Sequence, residues 1–301
     1  MKETMKDIIL NASADMTESC HKTDFIVSRG ERCLPDRSCI IRILKDLKRV
    51  MFPGYFGEEN IALISPQYFI GDRLTDIYGK LKPQIEISLY YRDYEKYTEE
   101  EHYELLRYID HRANTSGNIN IKVYGQENIP DDNGFMFYPN HQGLYDVLAI
   151  MEACPRPFSV VAKKEVANVP FLKQVFECMK AYMIDREDVR QSLQVIINVS
   201  NDVKAGKNFL IFPEGTRSKK GNQVQEFKGG SFKAATRAKC PIVPVALVNC
   251  FVPFDSKTTE QVDVQVHFLK PLLYDEYKDM KTTEIAAIVK ERIQCTINSS
   301  L

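Results

Sequence analysis

At 301 residues, with 44% hydrophobic and 27% charged side chains, the chain has the material for two modest cores or one large one, and no repeat or low-complexity tract interrupts it. A formal net charge of −1 argues against a polyanion-binding protein, so no nucleic-acid partner is expected. The eight cysteines are scattered without a Cys-x2-Cys pair, which reads as reduced cytosolic thiols and neither a disulfide framework nor a zinc site.

Residues 1–34 are polar, with a short helix at most over Met5–Leu10. Ile40, Ile41, Leu44, Leu47, Val50 and Met51 then fall on one helical face that opens at Pro35-Asp36. Phe52-Pro53-Gly54-Tyr55-Phe56-Gly57 breaks it. A second helix runs through Phe69, Leu74, Ile77, Tyr78 and Leu81, is interrupted by Pro83, and resumes at Ile85, Leu89 and Tyr90. A third begins at Thr98, with Glu101 in capping-box position, and buries Leu105, Leu106 and Ile109. The polar stretch Asn114–Asn118 reads as a linker. This gives a helical N-terminal domain over 1–116 and a second domain over 117–301.

Past the linker the texture alternates. Strands are expected near 119–124, 134–139, 157–162, 181–185, 208–212, 241–248 and 262–269. Helices are expected near 142–153, 168–180, 187–204, 229–238 and 282–297, the pattern of an α/β sheet with helices on both faces. The longest nearly apolar run, Pro241 to Phe254, is too short to span a bilayer and carries three prolines, so the expectation is a soluble or peripheral protein. Between Lys204 and Lys239 stand nine Lys/Arg against two acids, a local balance of +7 that suits an anionic substrate or membrane surface.

Two stretches carry the chemistry. In Tyr138-Pro139-Asn140-His141-Gln142-Gly143-Leu144-Tyr145-Asp146, an apolar strand gives way to a turn and then to an apolar helix. Positions five apart on a helix lie roughly 140° from each other. His141 and Asp146 can therefore meet only if the histidine precedes the helix and the aspartate lies within it. A carboxylate so placed fixes the imidazole tautomer and makes the histidine a general base. The second stretch, Phe212-Pro213-Glu214-Gly215-Thr216-Arg217-Ser218, again leaves a buried strand for a loop.

Together, Asn-His-x4-Asp and Phe-Pro-Glu-Gly-Thr-Arg-Ser resemble the glycerolipid acyltransferase family, whose best-known members are the lysophosphatidate acyltransferases. The resemblance covers roughly residues 119–280. It implies a mixed, largely parallel sheet flanked by helices, with an all-helical domain in front. It also implies His141 as general base, Asp146 as its orienting acid, and a substrate site built from Glu214, Gly215, Thr216 and Arg217. Val161–Glu165 and Ile184–Arg186 resemble the family's second block, with Lys164 (or Lys163) and Arg186 at its basic positions. Val243-Pro244-Val245-Ala246 resembles the fourth. Lys228-Gly229-Gly230-Ser231-Phe232 resembles the glycine-containing stretch that offers backbone amides to a phosphate.

The implied reaction moves a fatty acyl group from acyl-CoA or acyl-carrier protein to 1-acylglycerol 3-phosphate, giving phosphatidate, with no cofactor and no metal. Glycerol 3-phosphate or another lysolipid is the alternative acceptor. The implied partners are the lysophospholipid, the acyl donor and an anionic membrane surface, met peripherally at the cytoplasmic face. Leu34–Gly57 and the helices after it resemble the N-terminal helical region of bacterial serine acetyltransferases. That likeness implies assembly into a homo-oligomer or docking. The reading from another class is therefore a non-catalytic docking protein on an acyltransferase scaffold.

Overall fold

The computed structural model describes residues 97–165, 172–256 and 260–301. The expectations for the helices ahead of Thr98 lie outside the described residues. Those described belong to one compact unit, Leu89–Leu301.

It opens with α1 (Glu99–Ser116), started by the expected capping box. Thr98 Oγ1 accepts the Glu101 N–H at 3.2 Å, and the Glu101 carboxylate accepts the Thr98 N–H at 2.7 Å. This helix was expected to close the N-terminal domain. Instead Tyr103 stacks edge-on against Phe158 and donates its hydroxyl to the Cys154 carbonyl, while Arg107 donates to the Met151 carbonyl. The apolar face of α1 is buried by the α/β portion, and the helix belongs to the same compact unit as the sheet. Asn114, read as linker, is itself buried in its last turn.

Seven strands follow: β1 (Ile119–Tyr124), β2 (Met136–Pro139), β3 (Ser159–Lys163), β4 (Tyr182–Ile184), β5 (Phe209–Leu210), β6 (Ile242–Val248) and β7 (Val262–Phe268). Between and after them lie α2 (Asp146–Ala153), α3 (Leu172–Cys178), α4 (Val189–Lys204), α5 (Lys233–Ala238), α6 (Val252–Asp255), α7 (Tyr274–Tyr277) and α8 (Thr282–Ser300). The strands form one sheet in the order β1-β7-β6-β2-β5-β3-β4. Every pair is parallel except β6 with β7, so the sheet is mixed and largely parallel as expected.

Burial explains the strand sequences. All four residues of β2 and all seven of β6 are buried, which requires cover on both faces. Met136 and Tyr138 point into a cluster with Val195 and Val199 of α4, Phe232, and Ile285, Val289 and Ile293 of α8. Phe135 and Phe137 point the other way, where Phe137 meets Phe158 and Phe268. The edge strand β1 alternates half-buried and exposed, consistent with one solvated face.

Two boundaries differ from expectation for local reasons. Strand β5 stops after two residues although the apolar run continues. The Ile211 N–H still bonds to the Phe137 carbonyl at 3.1 Å, but Pro213 has no N–H to extend the ladder. Helix α2 begins at Asp146 rather than 142, with the N–H groups of Gln142 and Gly143 in the preceding turn donating to the Asp146 carboxylate.

Candidate active site

Strands β2, β5, β3 and β4 run parallel, so the loops that leave them emerge along one edge of the sheet. That edge receives His141 after β2, residues 212–218 after β5, Lys164 after β3 and Arg186 after β4.

His141 Nδ1 lies 2.7 Å from Asp146 Oδ2. The same oxygen accepts the Gln142 N–H at 2.7 Å, and Oδ1 accepts the Gly143 N–H at 2.9 Å. With two backbone donors already on it, the carboxylate acts as acceptor, which places the imidazole proton on Nδ1 and leaves the Nε2 lone pair free. Asp146 is fully buried, and burial raises its pKa while the His141 hydrogen bond opposes the rise. The His141 side chain is one-fifth exposed, so its ring is reachable while its partner is not. Phe212 stacks on the imidazole, ring centroids 4.0 Å apart. Leaving the sheet early is what brings Phe212 to that position.

The acidic motif clasps the same residue from the backbone. Glu214 Oε1 accepts the His141 N–H at 2.8 Å, and Ser218 donates its N–H to the His141 carbonyl at 2.7 Å. Glu214 Oε2 accepts from the Gln225 amide at 2.8 Å, which also donates to the Thr216 carbonyl at 3.0 Å. Burial raises the Glu214 carboxyl, and these two donors work against the rise. Gly215 holds φ +73°, a conformation that favours glycine, and a Cβ there would sit 3.0 Å from Lys228 Nζ. Asn140 anchors the turn from behind. Its amide exchanges hydrogen bonds with both the N–H and the C=O of Leu247, adding a side-chain rung to the β2–β6 ladder.

The structure therefore joins His141, Asp146 and Glu214 directly. Thr216 and Arg217 are exposed beside them, and among the described residues Arg217 makes no hydrogen bond or ion pair. Lys164 and Arg186 reach the same edge but are not hydrogen-bonded to the cluster. The Lys164 ammonium is engaged by Asp185, and Arg186 is exposed. Sequence reasoning missed Gln142, Phe212 and Gln225 as parts of the site. Phe212 was visible only as the residue that leaves the strand.

Three buried thiols are poor nucleophiles. Burial pushes Cys154 and Cys178 up to about 11 and Cys240 to about 12. Among the described residues no three His, Cys, Asp or Glu side chains gather as a metal site.

Residues 120–248, spanning every site residue named, match the family model described as Acyltransferase. That stretch is similar to the acyltransferase family. The 1-acyl-sn-glycerol-3-phosphate acyltransferase of Borreliella burgdorferi is 32% identical over 131 residues, covering 44% of this chain and 52% of that protein. The one from Saccharomyces cerevisiae is 30% identical over 183 residues, 60% of each, and the Escherichia coli protein 30% over 153 residues, 50% of this chain and 62% of its own. The chain thus spans about half to three-fifths of the curated relatives it matches. The chain shares its fold with the crystal structure of the 1-acyl-sn-glycerophosphate acyltransferase PlsC from Thermotoga maritima. The TM-score is 0.62 at 22% identity, over 80% of this chain and 95% of that one.

Proposed function

We propose that this protein transfers a fatty acyl group from acyl-CoA or acyl-carrier protein to the free sn-2 hydroxyl of 1-acylglycerol 3-phosphate, giving phosphatidate. The observation that carries the reading is the 2.7 Å His141–Asp146 contact, with Nε2 left free at the exposed edge of the sheet. The relatives' names supply the substrate class.

The chemistry follows from that tautomer. His141 Nε2 takes the proton of the acceptor hydroxyl as its oxygen attacks the thioester carbonyl. The C–S bond then breaks, and the proton passes from Nε2 to the leaving sulfur. The imidazolium that forms in between is stabilised by the buried Asp146 carboxylate. Because the hydroxyl attacks directly, no acyl-enzyme forms.

Arg217, exposed and without a partner among the described residues, offers a planar fork of donors to the acceptor phosphate. Lys164 and Arg186 on the same edge add positive charge, Gly215 lets the backbone approach, and Thr216 adds a hydroxyl. Glu214 acts through the His141 backbone, whose N–H its carboxylate accepts. The reaction belongs at the inner, cytoplasmic face of a membrane, with the protein bound peripherally.

The test is the product formed by purified protein from one labelled donor offered with a panel of lysophospholipids and glycerol 3-phosphate. Labelled phosphatidate from lysophosphatidate is the expected result. Acylation of glycerol 3-phosphate alone would assign the water-soluble acceptor. Silence with every acceptor and donor would leave only a docking protein on this scaffold.

A further inference from the structure

The turn after the acidic motif, Lys219-Lys220-Gly221-Asn222-Gln223, reads as an ordinary polar loop. Ser218 braces it: its hydroxyl donates to the Gln223 carbonyl at 2.9 Å and accepts the Lys220 N–H at 3.2 Å. Gly221 turns the chain at φ +58°. So folded, the turn delivers the Asn222 amide to two other segments of the site.

Asn222 Oδ1 accepts the Asn249 N–H at 2.9 Å and the Gln142 side-chain amide at 2.8 Å, while Asn222 Nδ2 donates to Asn249 Oδ1 at 2.9 Å. Gln142 Oε1 in turn accepts the Cys250 N–H at 2.8 Å. The amide orientations are not arbitrary. Two backbone N–H groups, which can only donate, fix which end of each side chain is oxygen. Gln142 is buried, and its own N–H shares Asp146 Oδ2 with His141 Nδ1. Next to it, Gly143 lies so close to the chain at 250–251 that a Cβ would sit 3.2 Å from the Cys250 carbonyl and the Phe251 Cα. Wherever Gln142 goes, the Asp146 carboxylate follows.

We infer that Asn222 is a positioning residue for the His141–Asp146 pair, holding the Gln142 amide against the exit of β6 so that the aspartate stays aligned with the imidazole. It touches no reacting atom and acts through Gln142. The inference rests on the acyl-transfer reading above for its kinetic consequence and on geometry for its structural one.

Asn222→Ala removes all three hydrogen bonds. Misplacement on the ångström scale costs up to about 10²-fold in rate, so kcat should fall between about tenfold and that limit with KM for donor and acceptor nearly unchanged. Asn222→Asp keeps the two acceptor bonds, and the Asn249 amide can turn to donate to the new oxygen, so this variant should recover most of kcat. Unchanged kcat in Asn222→Ala, a loss carried wholly by KM, or no recovery in Asn222→Asp would each overturn the inference.

If Asn222→Ala does not fold, Asn249→Gly replaces it, since glycine keeps the φ +61° backbone and its N–H while losing one acceptor. A smaller fall in kcat is then expected, and none would be fatal. If the wild-type protein makes no phosphatidate, the reaction reading fails separately. The low-field proton resonance of His141 Nδ1, compared between wild type and the folded variant, then decides. A shifted or exchange-broadened signal supports the clasp, and an identical one removes it.

Discussion

His141 is held by its backbone independently of its ring: Glu214 takes its N–H and Ser218 donates to its carbonyl. His141→Ala should therefore fold normally while losing the only lone pair poised for the acceptor proton. Turnover should drop at least ~10²-fold, about 3 kcal/mol in the barrier. Near-normal turnover in a folded variant would end the general-base mechanism. Arg217 faces the opposite test, because it is exposed and makes no hydrogen bond or ion pair among the described residues. Arg217→Ala should raise the acceptor KM far more than the donor KM, and Arg217→Lys should restore it only in part because a single ammonium lacks the fork. Equal damage to both substrates would place Arg217 away from the phosphate.

At the scale of elements, the interface of α1 with α2 stores a cost. Asp110 of α1 is buried with neither carboxylate oxygen well hydrogen-bonded. Burial, reinforced by the nearby Glu152 charge, raises it from 3.8 to about 8, and Asn114 and Arg107 offset this only in part. The folded chain then keeps a proton that the unfolded chain sheds near its ordinary value. Stability is lost as pH rises from about 4 towards about 8 and is flat beyond, at roughly 1.4 kcal/mol per unit as an upper limit. Asp110→Asn should flatten that slope and raise the melting temperature at pH 8 more than at pH 5. Parallel melting profiles for the two proteins would contradict the assignment. Asp110 was invisible in the sequence because α1 was read as part of another domain, where the same residue would be an ordinary surface acid. The sheet was far more legible: its strands are short runs buried on both faces, and the strand and helix positions expected past residue 118 correspond to observed elements within a few residues. Neither strand order nor the reversed sense of β1 and β7 relative to the other five could be read, since apolar periodicity says what is buried and not what it pairs with. The His141–Asp146 meeting was legible from helix geometry. The Asn222 and Gln225 contacts were not, because a polar turn looks the same whether it faces solvent or folds onto a neighbouring loop.

For the whole molecule, the question is how a protein with this charge meets a lipid. Among the described residues no helix is long and apolar enough to cross a membrane. The +7 stretch between Lys204 and Lys239 looked like one basic patch, but the alternating fold divides it. Lys204 and Lys207 precede β5 and Lys239 precedes β6, at the edge where these parallel strands begin. Arg217, Lys219, Lys220 and Lys228 follow β5 and stand at the edge that carries His141. Lys207 is further occupied by Asp202 and Glu99, and Lys239 lies over the Tyr274 ring. The second group is placed to bring the site to an anionic headgroup layer, at about 1 kcal/mol per basic residue near the surface. The protein should therefore float with vesicles containing anionic lipid at low salt, release at high salt as the Debye length shrinks, and ignore neutral vesicles. Reversing Lys219 and Lys220 to glutamate should abolish most of that binding, whereas reversing Lys204 and Lys239 should leave it nearly intact. Equal loss from both pairs would mean that total charge, not the site edge, drives attachment. Binding indifferent to salt and lipid charge would instead mean apolar insertion. No binding at all would turn the acceptor assignment towards glycerol 3-phosphate, which needs no membrane to reach His141.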